Sequence, residues 1–160
     1  MNRKIIEVKQ LRGDCKVVEA NPDQVVYIAD VVESQVIIKG PCMKVVAIDV
    51  HKSMIVIKKA TTTVEIARAK SSLFVVGSSP LTSLEQCIEC RMGTVESPTE
   101  IRMRRCMSIS LVYLKGVDTD KETVESLDEM CQSAEEQHLP DEIQTVVENG
   151  VAKSNIIKNG

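Results

Sequence analysis

The chain has 160 residues, a net charge of −3 and 27% charged residues, enough for one domain with a real core. It holds 22 Val and 15 Ile against one Phe, two Tyr and no Trp. That disfavours a Leu- and Ala-rich helical bundle and leaves almost no rings to stack on nucleic acid, so no nucleic-acid partner is expected. No apolar run reaches the length of a membrane span, and Met1–Glu7 lacks the apolar stretch of a signal peptide. A cytoplasmic protein with no membrane partner is expected, its six cysteines reduced and mostly buried.

Residues 1–24 read as a first coil, with turns at Arg12-Gly13-Asp14 and Asn21-Pro22-Asp23. The stretch Val36–Ile57 then supplies three strand-like runs, Val36–Lys39, Lys44–Asp49 and Met54–Ile57. Gly40-Pro41 and His51-Lys52-Ser53 separate them. Val and Ile favour the extended backbone, while Gly and Pro interrupt it. Turns this short leave no room for the crossover helix of an ordinary parallel sheet.

A repeat accounts for the pattern. One apolar column runs Val8, Ile28, Ile48, Ile66, Leu84, Ile101, and a second runs Val18, Ile38, Ile57, Val75, Met92, Leu111. A period of 17 to 20 residues in both predicts a parallel β-solenoid of about six coils spanning residues 1–116. An antiparallel sandwich with chance spacing is the alternative.

After Gly116 the composition changes. Val117–Glu148 carries eleven acidic residues and one Lys, a net −10, against +5 for residues 1–116. Residues 117–142 are expected to form an acidic loop or short helix, because Thr119-Asp120-Lys121-Glu122 has capping-box spacing and Val124, Leu127 and Cys131 recur at helical intervals. Residues 143–160 read as a hairpin about Asn149-Gly150, a type I′ signal between Val146-Val147 and Val151. An isolated hairpin is marginal in water, so it needs a sheet to join. The dimerising set is then Ile143, Val146, Val147, Asn149, Gly150, Val151, Ile156 and Ile157, exchanged between two copies.

Catalytic chemistry is thin, and no enzyme, cofactor or metal site is expected. Cys87-x-x-Cys90 has no second such pair, and its two thiols are expected on opposite faces of a strand. His51 and His138 fall in no ligand or nucleophile motif, and His51 reads as an exposed turn residue. Gly77-Ser78-Ser79-Pro80 lacks the ending of a phosphate loop.

Taken together, Ile38-Lys39-Gly40 through Asp49, Lys52 and Ile57 resemble one coil of the C-terminal domain of adenylyl cyclase-associated protein. The resemblance extends through Gln24–Ile28, Val64-Glu65-Ile66, Val76-Gly77, Cys87 and Leu139-Pro140-Asp141-Glu142, covering almost the entire chain. It implies a right-handed parallel β-helix of six coils and a homodimer through exchanged C-terminal hairpins. It further implies binding of monomeric, ADP-loaded actin with promotion of nucleotide exchange and association with the cytoskeleton. With Met1 as the native start, the chain is similar to the short apicomplexan form of the family; otherwise it is a domain cut from a longer chain. It departs from the family in lacking a Trp around Lys4-Ile5, in Lys58-Lys59 where an acidic pair is usual, and in Ile88 where many members have His. Actin is acidic, so a basic coil face is expected to meet it: Lys44, Lys52, Lys58, Lys59, Arg68 and Lys70, with the tail Lys158-Asn159-Gly160 as the other candidate. Tubulin-folding cofactor C shares the β-helix and implies a rival, in which Arg91 inserts into a GTPase site. A scaffold without an actin role is the third reading.

Overall fold

A computed structural model describes residues 4–96, 99–139, 143–148 and 151–156, the last two segments as backbone. Buried and less buried positions alternate along strands such as Val25–Val32 and Leu81–Glu85, and each coil lies parallel on the one before it. β1 (Ile5–Arg12) is followed by β2 (Cys15–Glu19), β3 (Val25–Val32), β4 (Gln35–His51) and β5 (Met54–Lys70). The later coils are built from β6 (Leu73–Val76), β7 (Leu81–Glu85), β8 (Arg91–Thr94), β9 (Thr99–Arg104) and β10 (Ile109–Tyr113).

These strands form a parallel β-helix of six coils with three faces. One face stacks β2, the first part of β4, the first part of β5, β6, β8 and β10. A second stacks β1, β3, the later part of β4, the later part of β5, β7 and β9. The narrow third face pairs Val31 with Val50 and Val50 with Ala69, then continues through bridges from Lys70 to Ile88 and from Ile88 to Met107.

The predicted columns needed correcting. The column starting at Val8 and Ile28 continues through Ala47, Ile66, Leu84 and Met103. Ile48 sits one place later, half-buried on the outer side, and Ile101 belongs to the neighbouring column with Val26, Val45, Val64 and Thr82. In the second column Val18, Ile38 and Ile57 are followed by Val76 and Thr94, not Val75 and Met92. A shift of one residue turns a side chain to the other face. In this chain both faces carry Val and Ile, so the apolar pattern does not expose the slip.

Two corners in every coil are made by residues with positive φ. One series is Gln10, Asp30, Asp49, Arg68, Gln86 and Arg105, and the other Gly13, Glu33, Lys52, Ser71, Glu89 and Ser108. Only Gly13 adopts this conformation without a Cβ penalty. The stacked coils hold the others there. Just inside the second corner runs a serine ladder. The Ser34 N–H donates to Ser53 Oγ at 3.0 Å, and the Ser53 N–H to Ser72 Oγ at 3.2 Å. Each hydroxyl donates in turn to the carbonyl two residues back, on Val32, His51 and Lys70. These buried polar groups are thereby satisfied in a repeating way.

The acidic stretch contains one helix, α1 (Val124–Ser133). Its N-cap is Thr123, which forms a capping box with Ser126; the expected box at Thr119 lies one turn too early. Val124, Leu127 and Cys131 pack on the outer side of the first face against Met54, Val56, Val75, Val112 and Leu114. Val75 is therefore buried although it points out of the coil. Two antiparallel strands then close the last coil. β11 (Glu136–Leu139) pairs with β10, and β12 (Ile143–Glu148) with β9. β13 (Val151–Ile156) returns along β12, so within one chain the hairpin rests on that chain's own β9. Ile143, Val146, Val147, Val151 and Ile156 lie in these strands. Asn149, Gly150 and Ile157 lie outside the described residues, as do Pro140, Asp141 and Glu142.

Candidate interaction surface

The six candidate cations do not share one face. Lys44 projects from the second face and pairs with Glu65 one coil on. Lys58 leaves the end of the first face, and Lys59 beside it is exposed and borders a hollow of about 400 Å³ with Ser78, Ser79, Pro80 and Glu96. Lys52, Arg68 and Lys70 do come together, at the two corners and on the narrow third face, and all three are exposed. Lys158, Asn159 and Gly160 lie outside the described residues.

Several of these charges are already engaged. Lys58 Nζ bonds Asp118 Oδ1 at 2.6 Å and stands 3.9 Å from Asp120 Oδ2. The hydrogen bond that Lys58 donates to Asp118 raises the Lys58 pKa and lowers that of Asp118. Arg68 grips Asp49 with two bonds of 2.8 and 3.1 Å, and that bond holds the Asp49 carboxyl below its ordinary range. A cation paired this way offers a partner less attraction than its formal charge suggests. Lys52, Lys59 and Lys70 have no ion pair among the described residues.

Arg91 lines a groove of about 680 Å³ between α1 and the second corner series. Its Nε lies 3.4 Å from Glu136 Oε1, and Glu125, Asp128 and Glu89 share the lining. The Glu136 carboxyl is lowered first by a hydrogen bond from Ser110, and further by Arg91. An arginine used to stabilise transferring phosphate must reach out into another protein's site. Arg91 instead faces carboxylates of its own chain.

Cys87 and Cys90 both point into the core, contrary to the expected opposite faces. The positive φ of Glu89 between them turns the chain through a corner, so both thiols are inward. Cys87 stacks on Cys106 of the next coil, and their contact together with burial pushes the Cys87 thiol far up. Burial raises Cys42, Cys90 and Cys131 to about 11. Thiols this reluctant to ionise are poor nucleophiles at neutral pH. Among the described residues no group of three or more His, Cys, Asp or Glu side chains is placed to hold a metal. His51 is exposed at the end of β4.

Sequence reasoning placed the last coil but did not single out its exposed side chains. Arg102, Arg104, Arg105 and Met107 are exposed there, and Met107 stacks on exposed Ile88. The run Arg102-Met103-Arg104-Arg105 was a readable signal, since alternation places Met103 inside and its neighbours out.

No family model matches the sequence, and no curated protein matches it either. The fold is that of the cyclase-associated protein from Cryptosporidium parvum. Its crystal structure superposes with a TM-score of 0.74 over 98% of this chain and 93% of that one, at 11% sequence identity. No helix among the described residues is long and apolar enough to cross a membrane.

Proposed function

We propose that this chain binds monomeric actin in its ADP form and promotes nucleotide exchange, without catalysis of its own. The supporting observation is the shared fold with a cyclase-associated protein over nearly the full length of both chains. The ordered sequence resemblance from Gln24 to Glu142 points the same way. Such a chain works in the cytoplasm, at the cytoskeleton, and needs no cofactor. Exchange follows from linkage. A partner that prefers the open nucleotide cleft weakens ADP by the factor with which ADP weakens the partner.

The working unit in this reading is a homodimer that exchanges β12 and β13. Exchange keeps the β9–β12 pairing and only changes which chain supplies β12. Three residues separate β11 from β12, and short hinges favour swapping.

Release of labelled nucleotide from ADP-actin, with and without the protein, tests the function. Faster release together with monomer binding at micromolar protein is expected. Unchanged release and no binding would overturn it. Stimulated GTP hydrolysis on tubulin or a small GTPase, lost in Arg91→Ala, would transfer the assignment to the rival.

A further inference from the structure

Among the described residues four large apolar side chains are exposed: Ile5, Val17, Ile88 and Met107. Ile5 and Val17 belong to the first coil and lie on different faces. Ile88 and Met107 are different, because a parallel bridge stacks them on adjacent coils of the narrow third face. Met107 is 58% exposed and Ile88 39%. Exposing two adjoining apolar side chains on one ridge is unfavourable unless something covers them.

Three cations flank this pair, and the exposed acids Glu85 and Glu89 stand near them. Lys70 precedes Ile88 in the same column. Arg105 occupies the corner two residues before Met107, and Arg104 projects beside it. Neither arginine has an ion-pair partner among the described residues, whereas Arg12, Arg68, Arg91 and Arg102 all do. Apolar side chains flanked by two unpaired arginines have the composition of an interface anchor, where a few central residues carry most of the binding energy. The complementary surface is acidic and offers a shallow apolar pocket.

We propose that the third face over the last two coils, centred on Ile88 and Met107 and flanked by Lys70, Arg104 and Arg105, is the docking surface for the acidic partner. This inference rests on the proposed function, under which that partner is monomeric actin. Met107 and Ile88 seat in the partner's pocket and slow dissociation. The arginines steer the encounter and fix orientation. Lys44 and Lys58, paired within the chain, lie outside the contact.

The test is binding of monomeric ADP-actin by the full chain, measured as association and dissociation rates at two salt concentrations. Met107→Glu is expected to weaken binding at least tenfold, chiefly through faster dissociation. Arg104→Glu with Arg105→Glu is expected to slow association at least threefold and flatten its salt dependence. Val17→Glu, on the first coil, is expected to bind as the parent does. All four side chains are solvent-exposed, and equal melting temperatures check that each variant is folded. Tight binding by the parent with Met107→Glu and the double arginine variant unchanged would overturn this surface and leave the actin reading standing. A parent chain that does not bind actin would overturn both.

Discussion

Lys58 and Asp118 lie 60 residues apart and meet at 2.6 Å, and this contact fastens the acidic stretch to the wall of the coil. Asp118 also accepts from the backbone N–H of Asp120 at 3.0 Å, which shapes the turn leading to Thr123 and α1. The carboxyl is lowered and the amine raised, each by the other. A carboxyl with a depressed folded pKa contributes above its unfolded value, and the contribution is lost as pH falls through the folded value. The raised Lys58 contributes below its ordinary value and loses its share only when pH rises past it. Acidification below the ordinary aspartate value of 3.8 should therefore loosen the segment before the coils. Hydrogen exchange of α1 amides is expected to accelerate there, and Lys58→Ala to bring the same acceleration to neutral pH. Equal exchange in parent and variant at pH 7 would show that apolar packing alone holds α1.

Gly77 and Gly93 should respond differently to a side chain. A Cβ on Gly77 would stand 2.3 Å from the Lys58 carbonyl oxygen, and that oxygen belongs to the stacked backbone. Gly77→Ala must separate two coils locally, and overpacking of this kind costs about 1–3 kcal/mol. At Gly93 a Cβ meets Cys131 Sγ at 3.3 Å and two side-chain carbons at 3.4 Å. Those neighbours can give way, so Gly93→Ala should lie within about 1 kcal/mol of the parent. Gly93→Leu has no such room and is expected to push α1 off the first face. Urea unfolding ranks the three, and a Gly77→Ala chain as stable as Gly93→Ala would contradict the coil contact.

The six coils were legible because Val and Ile recur at a nearly constant spacing, a signal that survives small errors of register. The exact stacking was not. Ala47 carries so little apolar weight that Ile48 outcompeted it as the column member, although Ala47 is the one inside. The corners were less legible still. Asp30 and Asp49 are among residues that tolerate positive φ, but Arg68, Lys52 and Glu89 carry no such signal, and only the stacked coils impose the conformation. The pairing of the candidate cations was hidden for a related reason. Lys44, Lys58 and Arg68 count as positive charge in a sequence, and their partners Glu65, Asp118 and Asp49 come from other coils or from the acidic stretch.

Thiol labelling should separate the cysteines cleanly. Cys15 is exposed, and Cys42, Cys87, Cys90, Cys106 and Cys131 are buried. One thiol per chain is expected to react in the native state and all six after unfolding. Cys131 should be the next to react, since it is held only between α1 and the outer side of the first face. Lys58→Ala should raise its rate further. Rapid native labelling of Cys87 or Cys90 would contradict the inward corner and reopen the case for chemistry at that pair.

The last coil of a β-helix ends in unpaired N–H and C=O groups, and an uncovered row of them invites strand addition. β11 covers one such row along β10, and β12 covers the other along β9. Their positions differ in how firmly they are fixed to the chain. β11 follows α1, whose apolar side anchors it to the first face, whereas β12 is held by its pairing with β9 and is joined in sequence to β11 by residues 140–142. Removal of residues 143–160 should therefore leave coils, α1 and β11 in place and bare the β9 edge. If the hairpin is exchanged between two copies, the parent sediments as a dimer and the truncated chain as a monomer that aggregates with time. A parent chain that stays monomeric at high micromolar concentration would place the hairpin permanently on its own β9. The truncated chain should then aggregate just as readily, which makes the sedimentation of the parent, and not the fate of the truncation, the deciding measurement.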